Sequence, residues 1–210
     1  MRLIRFTGMW SLALMGVAWG GQPNVYPSVE DVEIKELYAE SMAARGQMGL
    51  QTRMACRDLV EELVLCFMAE TETAWRYVTL QDLATWKIDI AGLEKRALET
   101  SKAGVAAKGF QVMSVEDTEK TYWMRTEGDL AGSGLFLYPD KLEEITTAPP
   151  VVAVPAWGVV LTWIPGDETF DRIMAVGALR IFNESDHPVS TKVLKWNGER
   201  WTVWGEAVRP

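Results

Sequence analysis

The chain has 210 residues, of which 48% are hydrophobic and 24% are charged, so its composition is that of an ordinary globular protein. This length suits one sizeable domain or at most two small ones. The formal net charge of −8 argues against nucleic acids and anionic membrane surfaces as partners, because both bind through clusters of Lys and Arg.

The first twenty residues have the pattern of a secretory signal peptide. Arg2 and Arg5 form a positive start, an apolar run covers residues 6–19, and the small residues around Gly20 suit cleavage. An uncleaved anchor and a buried helix are the alternatives, although the run is short for a membrane span. We therefore expect residues 1–20 to be a signal peptide. The mature protein is then periplasmic or extracellular and has no membrane span.

Residues 21–59 are predicted to be an N-terminal linker followed by a helical segment. Residues 21–28 have a linker composition, and Ser28 is placed to cap a first helix that Gly46 ends. Residues 50–60 are ambiguous and could form a second short helix. A loose apolar stripe supports the first helix: Val29, Val32, Leu37 and Met42.

Residues 60–210 are predicted to form an α+β domain that opens with a strand pair. Residues 62–70 are short and continuously apolar, as in a buried strand, and residues 75–80 alternate as its partner. Thr79 is expected to cap the helix that follows. Asp89 is expected to start the next helix, and Gly104 to stop it.

Residues 109–115 and 121–126 are two strand-like runs separated by a polar break, which predicts a second hairpin. The stretch after it is less regular. Asp129 could cap a helix, but glycines at 132 and 134 weaken that helix by roughly 1 kcal/mol each. A short helix is expected to begin at Pro139.

Residues 151–185 form the most hydrophobic segment after residue 20, and we expect two strands and a helix there. Pro155 cannot donate a hydrogen bond to a strand ladder, so it should mark a turn or a sheet edge. Asp167 or Thr169 caps the helix. Its apolar residues recur at helical spacing and predict one buried face: Phe170, Ile173, Met174, Gly177, Ala178, Ile181 and Phe182.

The chain closes with a strong hairpin signal, Asn197-Gly198 between alternating strands. A four-residue loop would pair Trp196 with Trp201, whereas a two-residue loop would pair Leu194 with Trp201. We favour the four-residue loop because it gathers the apolar residues on one face. The elements do not alternate as in a parallel sheet. They predict a single α+β domain with a mixed or largely antiparallel sheet, helices packed on it and a C-terminal β-hairpin.

Motifs for catalysis, cofactors and metals are missing from the sequence. Cys56 and Cys66 are spaced by ten residues, which fits neither a redox nor a zinc motif, so they predict one disulfide or two buried thiols. The one histidine, His187, lies in a polar turn without a neighbouring nucleophile and should be exposed. We expect no cofactor and no metal.

Acidic pairs and tryptophans are the remaining candidates for function. Paired carboxylates such as Asp167-Glu168 could serve a glycosidase-like reaction, but in an acidic chain they more often form solvated faces or helix starts. The ten tryptophans could form a binding surface or pack in the core. Trp157 stands apart because it lies in a predicted turn, where a large ring has less reason to be buried.

Four segments together resemble the YtpQ-like family, a bacterial domain of unknown function: residues 63–99, GDLAGSGLFL, PPVVAVPAWGVVLTW and KVLKWNGERWTVW. The resemblance covers residues 60–205 as a spaced pattern. It implies one α+β domain and carries no activity. Asp129, Ser133 and Pro155 match polar or special positions of the family pattern. Trp157-Gly158 replace its Arg-Asp, and the exported start departs from its mainly cytoplasmic members.

The sequence favours a non-catalytic exported binding or interaction protein with an unknown protein or small-molecule partner. An immunity-like role is included, since an acidic protein suits a basic partner. We expect the partner to bind near the turn that contains Trp157 and near the Trp-rich C-terminal hairpin, with Trp157, Asp129, Ser133 and Pro155 as the binding residues. A carboxylate-dependent hydrolase and a structural envelope protein are the alternatives.

Overall fold

The computed structural model describes residues 23–72, 74–108, 111–114, 120–125, 134, 139–146 and 148–207. The predicted signal peptide, Asp129 and Ser133 lie outside these residues. The helices are α1 (Ile34–Ala44), α2 (Leu80–Trp86), α3 (Ile90–Lys108), α4 (Pro139–Thr146) and α5 (Glu168–Glu184), with a 3-10 turn at Gly49–Thr52. The strands are β1 (Val25–Asp31), β2 (Cys56–Val60), β3 (Leu63–Glu70), β4 (Trp75–Tyr77), β5 (Gln111–Ser114), β6 (Thr121–Arg125), β7 (Val151–Ala156), β8 (Val159–Trp163), β9 (Lys192–Trp196) and β10 (Trp201–Glu206).

The described strands form two antiparallel sheets. In the first sheet, β3 pairs with β1 along one edge and with β2 and β4 along the other. In the second sheet the order is β10-β9-β7-β8-β6-β5. The predicted α+β fold is confirmed, including the C-terminal hairpin β9–β10. Its register is that of the four-residue loop, with Trp196 opposite Trp201 and Leu194 opposite Val203.

The buried side chains fall into three clusters because successive residues of a strand point to opposite faces. One face of each sheet contributes, together with α3 and α4, to a central cluster that contains Phe67 and Val152. The opposite face of the second sheet packs under α5 and forms the α5 cluster, with Trp163 and Met174. The opposite face of the first sheet packs under α1 and forms the α1 cluster, with Met68. Strands covered on both faces explain why β3 and β7 read as continuous apolar runs.

The N-terminal segment differs from the prediction. Residues Val25–Asp31 are not a linker but strand β1, which pairs with β3 along seven residues. Ser28 is buried in that strand and caps no helix, since α1 begins only at Ile34. Residues Cys56–Val60 are likewise a strand and not a helix. Strands β1 and β2 both pair with β3, so these parts of residues 21–59 belong to the same sheet as the start of the predicted α+β domain.

Two helices also differ from their predicted form. Helix α3 continues through Gly104 to Lys108, so that glycine does not stop it. In α5, Asp167 is the N-cap, and its side chain accepts a hydrogen bond from the Phe170 amide. The buried residues of α5 are Phe170, Met174 and Ala178, spaced by four, whereas Ile173 is 40% exposed. The stripe that contacts the sheet is thus narrower than the apolar stripe of the sequence.

Pro155 does not mark the turn that its missing amide predicted. It lies inside β7, where a bulge shifts the register between Ala153 and Ala156. The pairing with β9 ends at Ala153, so the missing amide removes no ladder bond there. The Pro155 carbonyl accepts a hydrogen bond from Val189. The chain turns at Trp157 and Gly158, and the Gly158 φ of 74° suits a residue without a side chain.

A tight contact at Gly134 gives the first testable prediction. A Cβ atom at this buried position would lie 2.6 Å from the Ser101 hydroxyl oxygen and 3.0 Å from Cγ of Pro27. We expect Gly134→Ala to lower the free energy of unfolding by roughly 1–3 kcal/mol, measured by urea denaturation. Gly177→Ala is the control, because nothing lies within 4 Å of that Cβ in α5. The control should stabilise by up to about 1 kcal/mol. Equal stability of Gly134→Ala and wild type would contradict the contact.

Candidate functional site

The predicted binding residues at the β7–β8 turn are packed rather than open. Pro155 is buried in β7. Trp157 is half-buried, and its ring packs against both the central cluster and the α1 cluster. Its amide donates to the His187 carbonyl at 3.0 Å, and the two rings meet edge to face with centroids 6.4 Å apart. The position of Trp157 is therefore explained by packing between layers. His187 itself is exposed, as predicted.

The tryptophans of the C-terminal hairpin also pack, with one exception. Trp196 and Trp201 meet edge to face across the hairpin, with ring centroids 5.6 Å apart, and Trp201 is 5% exposed. Trp204 is 42% exposed. Among the described residues, this hairpin therefore offers a partner one exposed tryptophan ring.

Cys56 and Cys66 are joined in a disulfide between neighbouring strands β2 and β3. Cys66 is fully buried and Cys56 is half-buried, and both belong to the α1 cluster. The disulfide fastens the edge strand β2 to the central strand of the first sheet. Because the Cys66 side chain is fully buried, we interpret the disulfide as a structural cross-link.

A cleft of about 590 Å³ lies where the start of β6 and the end of β8 meet the first turn of α5. We call it the α5 cleft. Trp123 on β6 is half-buried and is one of the residues that line it, as is Ile164, which is 38% exposed. The two strands are neighbours in the sheet, with Trp123 opposite Thr162. The full lining comprises Lys120, Thr121, Trp123, Ile164, Pro165, Gly166, Asp167, Glu168, Thr169 and Phe170.

Two of the charged groups that line the α5 cleft, Lys120 and Asp167, form an ion pair, and Glu168 adds a further carboxylate to the lining. The Lys120 ammonium lies 3.5 Å from a carboxylate oxygen of Asp167. The hydrogen bond from the Phe170 amide, assisted by Lys120, holds the pKa of Asp167 below its usual range. Asp167 is therefore ionised at neutral pH and committed to capping α5. It is a poor proton donor for acid catalysis.

The loop between β8 and α5 forms one wall of the α5 cleft, and the carboxylate of Asp171 holds it in place. One oxygen of this carboxylate accepts a hydrogen bond from the Trp163 indole at 2.9 Å, and the other accepts from the Gly166 amide at 3.0 Å. The loop from β8 to α5 is thus tied to the buried end of β8 and to the first turn of α5. A wall held at both ends is preformed, as ligand pockets usually are.

A second polar cluster lies away from the cleft, on the first sheet. Glu30 on β1 is 6% exposed, and its Oε1 accepts hydrogen bonds from the Ser28 hydroxyl at 2.6 Å and the Tyr77 hydroxyl at 3.0 Å. Burial raises the pKa of Glu30 to about 7, although both hydrogen bonds act to lower it. Glu30 is thus a buried carboxyl group that does not line the α5 cleft, so it is not placed to act on a ligand there.

The described residues contain no group of three or more His, Cys, Asp and Glu side chains that could hold a metal ion. No described helix is long and apolar enough to cross a membrane. No family model, curated protein or solved structure matches this chain. The YtpQ-like resemblance and the exported location therefore stay predictions, and the function has to be argued from the site alone.

Proposed function

We propose that the protein is an exported, non-catalytic binding protein and that the α5 cleft takes its ligand. The observation that carries this proposal is the aromatic and aliphatic wall of the cleft, Trp123 and Ile164, beside a polar rim. A few well-placed polar groups around an apolar wall are the usual composition of a small-molecule site. The volume of about 590 Å³ suits a small molecule or a few residues of a peptide or oligosaccharide.

The chemistry of the rim favours an uncharged, hydrogen-bonding ligand. Lys120 and Asp167 already neutralise each other, so a strongly charged ligand would have to separate them. The hydroxyls of Thr121 and Thr169 add donors and acceptors. A Trp ring offers a flat apolar face for stacking.

The carboxylate-dependent hydrolase finds less support. That reaction needs one carboxylic acid with a raised pKa beside a second carboxylate. In the α5 cleft the pKa of Asp167 is lowered, whereas the carboxyl group with a raised pKa, Glu30, lies buried on the other sheet. No specific observation favours the structural envelope protein.

A binding experiment with a matched control tests the proposal. Purified protein is titrated by calorimetry with maltotetraose, cellotetraose, chitotetraose, tetra-alanine, tetra-lysine and tetra-glutamate. We expect at least one uncharged member to bind, and Trp123→Ala to weaken that binding by at least about tenfold, or about 1.4 kcal/mol. Trp204→Ala is the control, since this exposed ring lies on β10 at the opposite edge of the second sheet.

The two alanine variants distinguish a ligand site in the α5 cleft from one on the C-terminal hairpin. Loss of binding in Trp204→Ala with full binding in Trp123→Ala would move the site to the hairpin and contradict the α5 cleft. Trp123→Phe keeps a ring in the wall and should lose less affinity than Trp123→Ala. Melting curves of all three variants show that the fold is retained.

A further inference from the structure

The buried carboxyl group of Glu30 lies where the first sheet meets α1. Glu30 pairs with Val64 across β1 and β3, on the face that forms the α1 cluster. The hydroxyls of Ser28 and Tyr77 are its two hydrogen-bond donors. Tyr77 in turn meets the ring of Tyr38 on α1 edge to face, with centroids 5.7 Å apart. A continuous chain of contacts therefore connects the Glu30 carboxyl group with the helix.

The charged groups around this cluster do not neutralise Glu30. No described Lys or Arg forms an ion pair with it. Arg76, next to Tyr77 on β4, is held by both carboxylate oxygens of Asp82 on α2, at 2.7 and 2.9 Å. Burial raises the pKa of Tyr38, and the charge of Arg45, at the end of α1, opposes that rise. The neighbouring strands β2 and β3 contribute the disulfide, which does not titrate. An ionised Glu30 would thus be a buried anion with only two neutral donors, which is costly.

Helix α1 is the layer over this cluster that is least firmly held. None of its residues is buried, and Leu37 is 39% exposed. It contacts the α1 cluster through partly buried side chains, chiefly Ile34 and Tyr38. Elements with few buried apolar contacts open at low free energy, separately from the core strands. If water must reach Glu30, lifting α1 therefore disturbs the fold less than opening the paired strands.

We propose that Glu30 is a proton-controlled latch: its neutral carboxyl group holds α1 on the first sheet, and its ionisation releases the helix. The neutral acid can itself donate one hydrogen bond while its oxygen accepts those of Ser28 and Tyr77. The carboxylate keeps those two bonds but gains a buried charge that needs water. Because burial raises the pKa of Glu30 to about 7, the change falls near neutral pH. The periplasmic or extracellular location proposed above would expose the latch to external pH.

Amide hydrogen exchange of α1 tests the latch. The opening constant of residues 34–44, corrected for intrinsic exchange, should rise about tenfold between pH 6 and pH 8 and level off above pH 8. Glu30→Gln keeps the side-chain shape without a charge and should abolish this rise. Tyr77→Phe removes a donor that favours the carboxylate, so it should move the midpoint to higher pH. The pH midpoint is measured in Tyr77→Phe and in the wild type, so this comparison does not depend on the stability of Glu30→Gln.

Two results for α1 itself would overturn the latch. One is an opening constant of α1 that is the same at pH 6 and pH 8 in the wild type. The other is a rise that persists unchanged in Glu30→Gln. His187→Gln removes the one imidazole of the chain and should leave the rise intact. The opening constant of β3 reports global unfolding and should stay well below that of α1 at every pH. Equal opening constants for α1 and β3 at pH 8 would mean that α1 opens only with the whole fold and would also contradict the release of α1 alone.

Discussion

Replacing Met174 by aspartate is expected to lower the free energy of unfolding by more than about 3 kcal/mol and to leave much of the protein unfolded at ambient temperature. Met174 is 4% exposed and lies in the α5 cluster with Trp163 and Phe170. The substitution removes a buried apolar side chain and places a charge there without a partner. Urea denaturation, or melting followed by circular dichroism, measures the loss.

The neighbouring residue provides the control. Ile173 is on the same helix but is 40% exposed, so Ile173→Asp should change stability by no more than about 0.5 kcal/mol. Met174→Leu conserves volume and should cost less than about 1.5 kcal/mol. If Ile173→Asp unfolds the protein and Met174→Asp does not, α5 is rotated relative to the described packing.

Raising the pH from 5 to 8 is expected to lower the free energy of unfolding by roughly 2 to 3 kcal/mol through Glu30. Burial raises its pKa in the folded protein to about 7, from an ordinary value of 4.5. A group whose pKa is raised on folding stabilises the fold while it is protonated. That contribution is complete below pH 4.5 and is lost as the pH rises through 7.

The other groups with shifted pKa values titrate outside this window. The pKa values of Asp82 and Asp167 are lowered from 3.8, and those of Lys192 and Tyr38 are raised from 10.5 and 10.0. Glu30→Gln should therefore remove most of the slope between pH 5 and pH 8 and should be the more stable protein at pH 8. A full slope in Glu30→Gln would show that another group is responsible.

Much of the fold follows from local rules that the sequence displays. Thr79 and Asp82 form the capping box of α2, and the capping role of Thr79 was predicted. Asn197 accepts hydrogen bonds from the Glu199 and Arg200 amides, which fixes the four-residue loop and with it the hairpin register. Such features depend on neighbours within a few residues. They can therefore be predicted without knowledge of the tertiary fold.

The misplaced elements depend on distant contacts. Val25 and Val29 alternate with Ser28 and Glu30, which is a strand pattern, but proline and acidic residues suggested a linker and a helix start. Pairing with β3 decides the matter in favour of the strand. Likewise, the burial of Ile173 or Met174 depends on how α5 meets the second sheet, which helical periodicity alone cannot give.

The site was harder to predict than the fold. Trp123 was one tryptophan among ten, and nothing near it in sequence distinguishes it from the packed rings. Its place in a cleft arises because β6 lies beside β8 and the loop after β8 returns to α5. Trp157 was singled out for its turn, yet the layers on either side bury half of it. Glu30 could have been found from its alternation with Val29, which marks a charge within a strand.

Selective ¹⁵N-labelling of the tryptophan indoles tests the binding role of the α5 cleft most directly. Each indole resonance is assigned with single Trp→Phe variants, and the protein is titrated with the member of the oligosaccharide and peptide panel that binds most tightly. We predict that the Trp123 resonance shifts progressively and saturates, while those of Trp157 and Trp204 stay in place. Shifts at Trp157 or Trp204 with an unmoved Trp123, or no binding by any member of the panel, would contradict a ligand site in the α5 cleft.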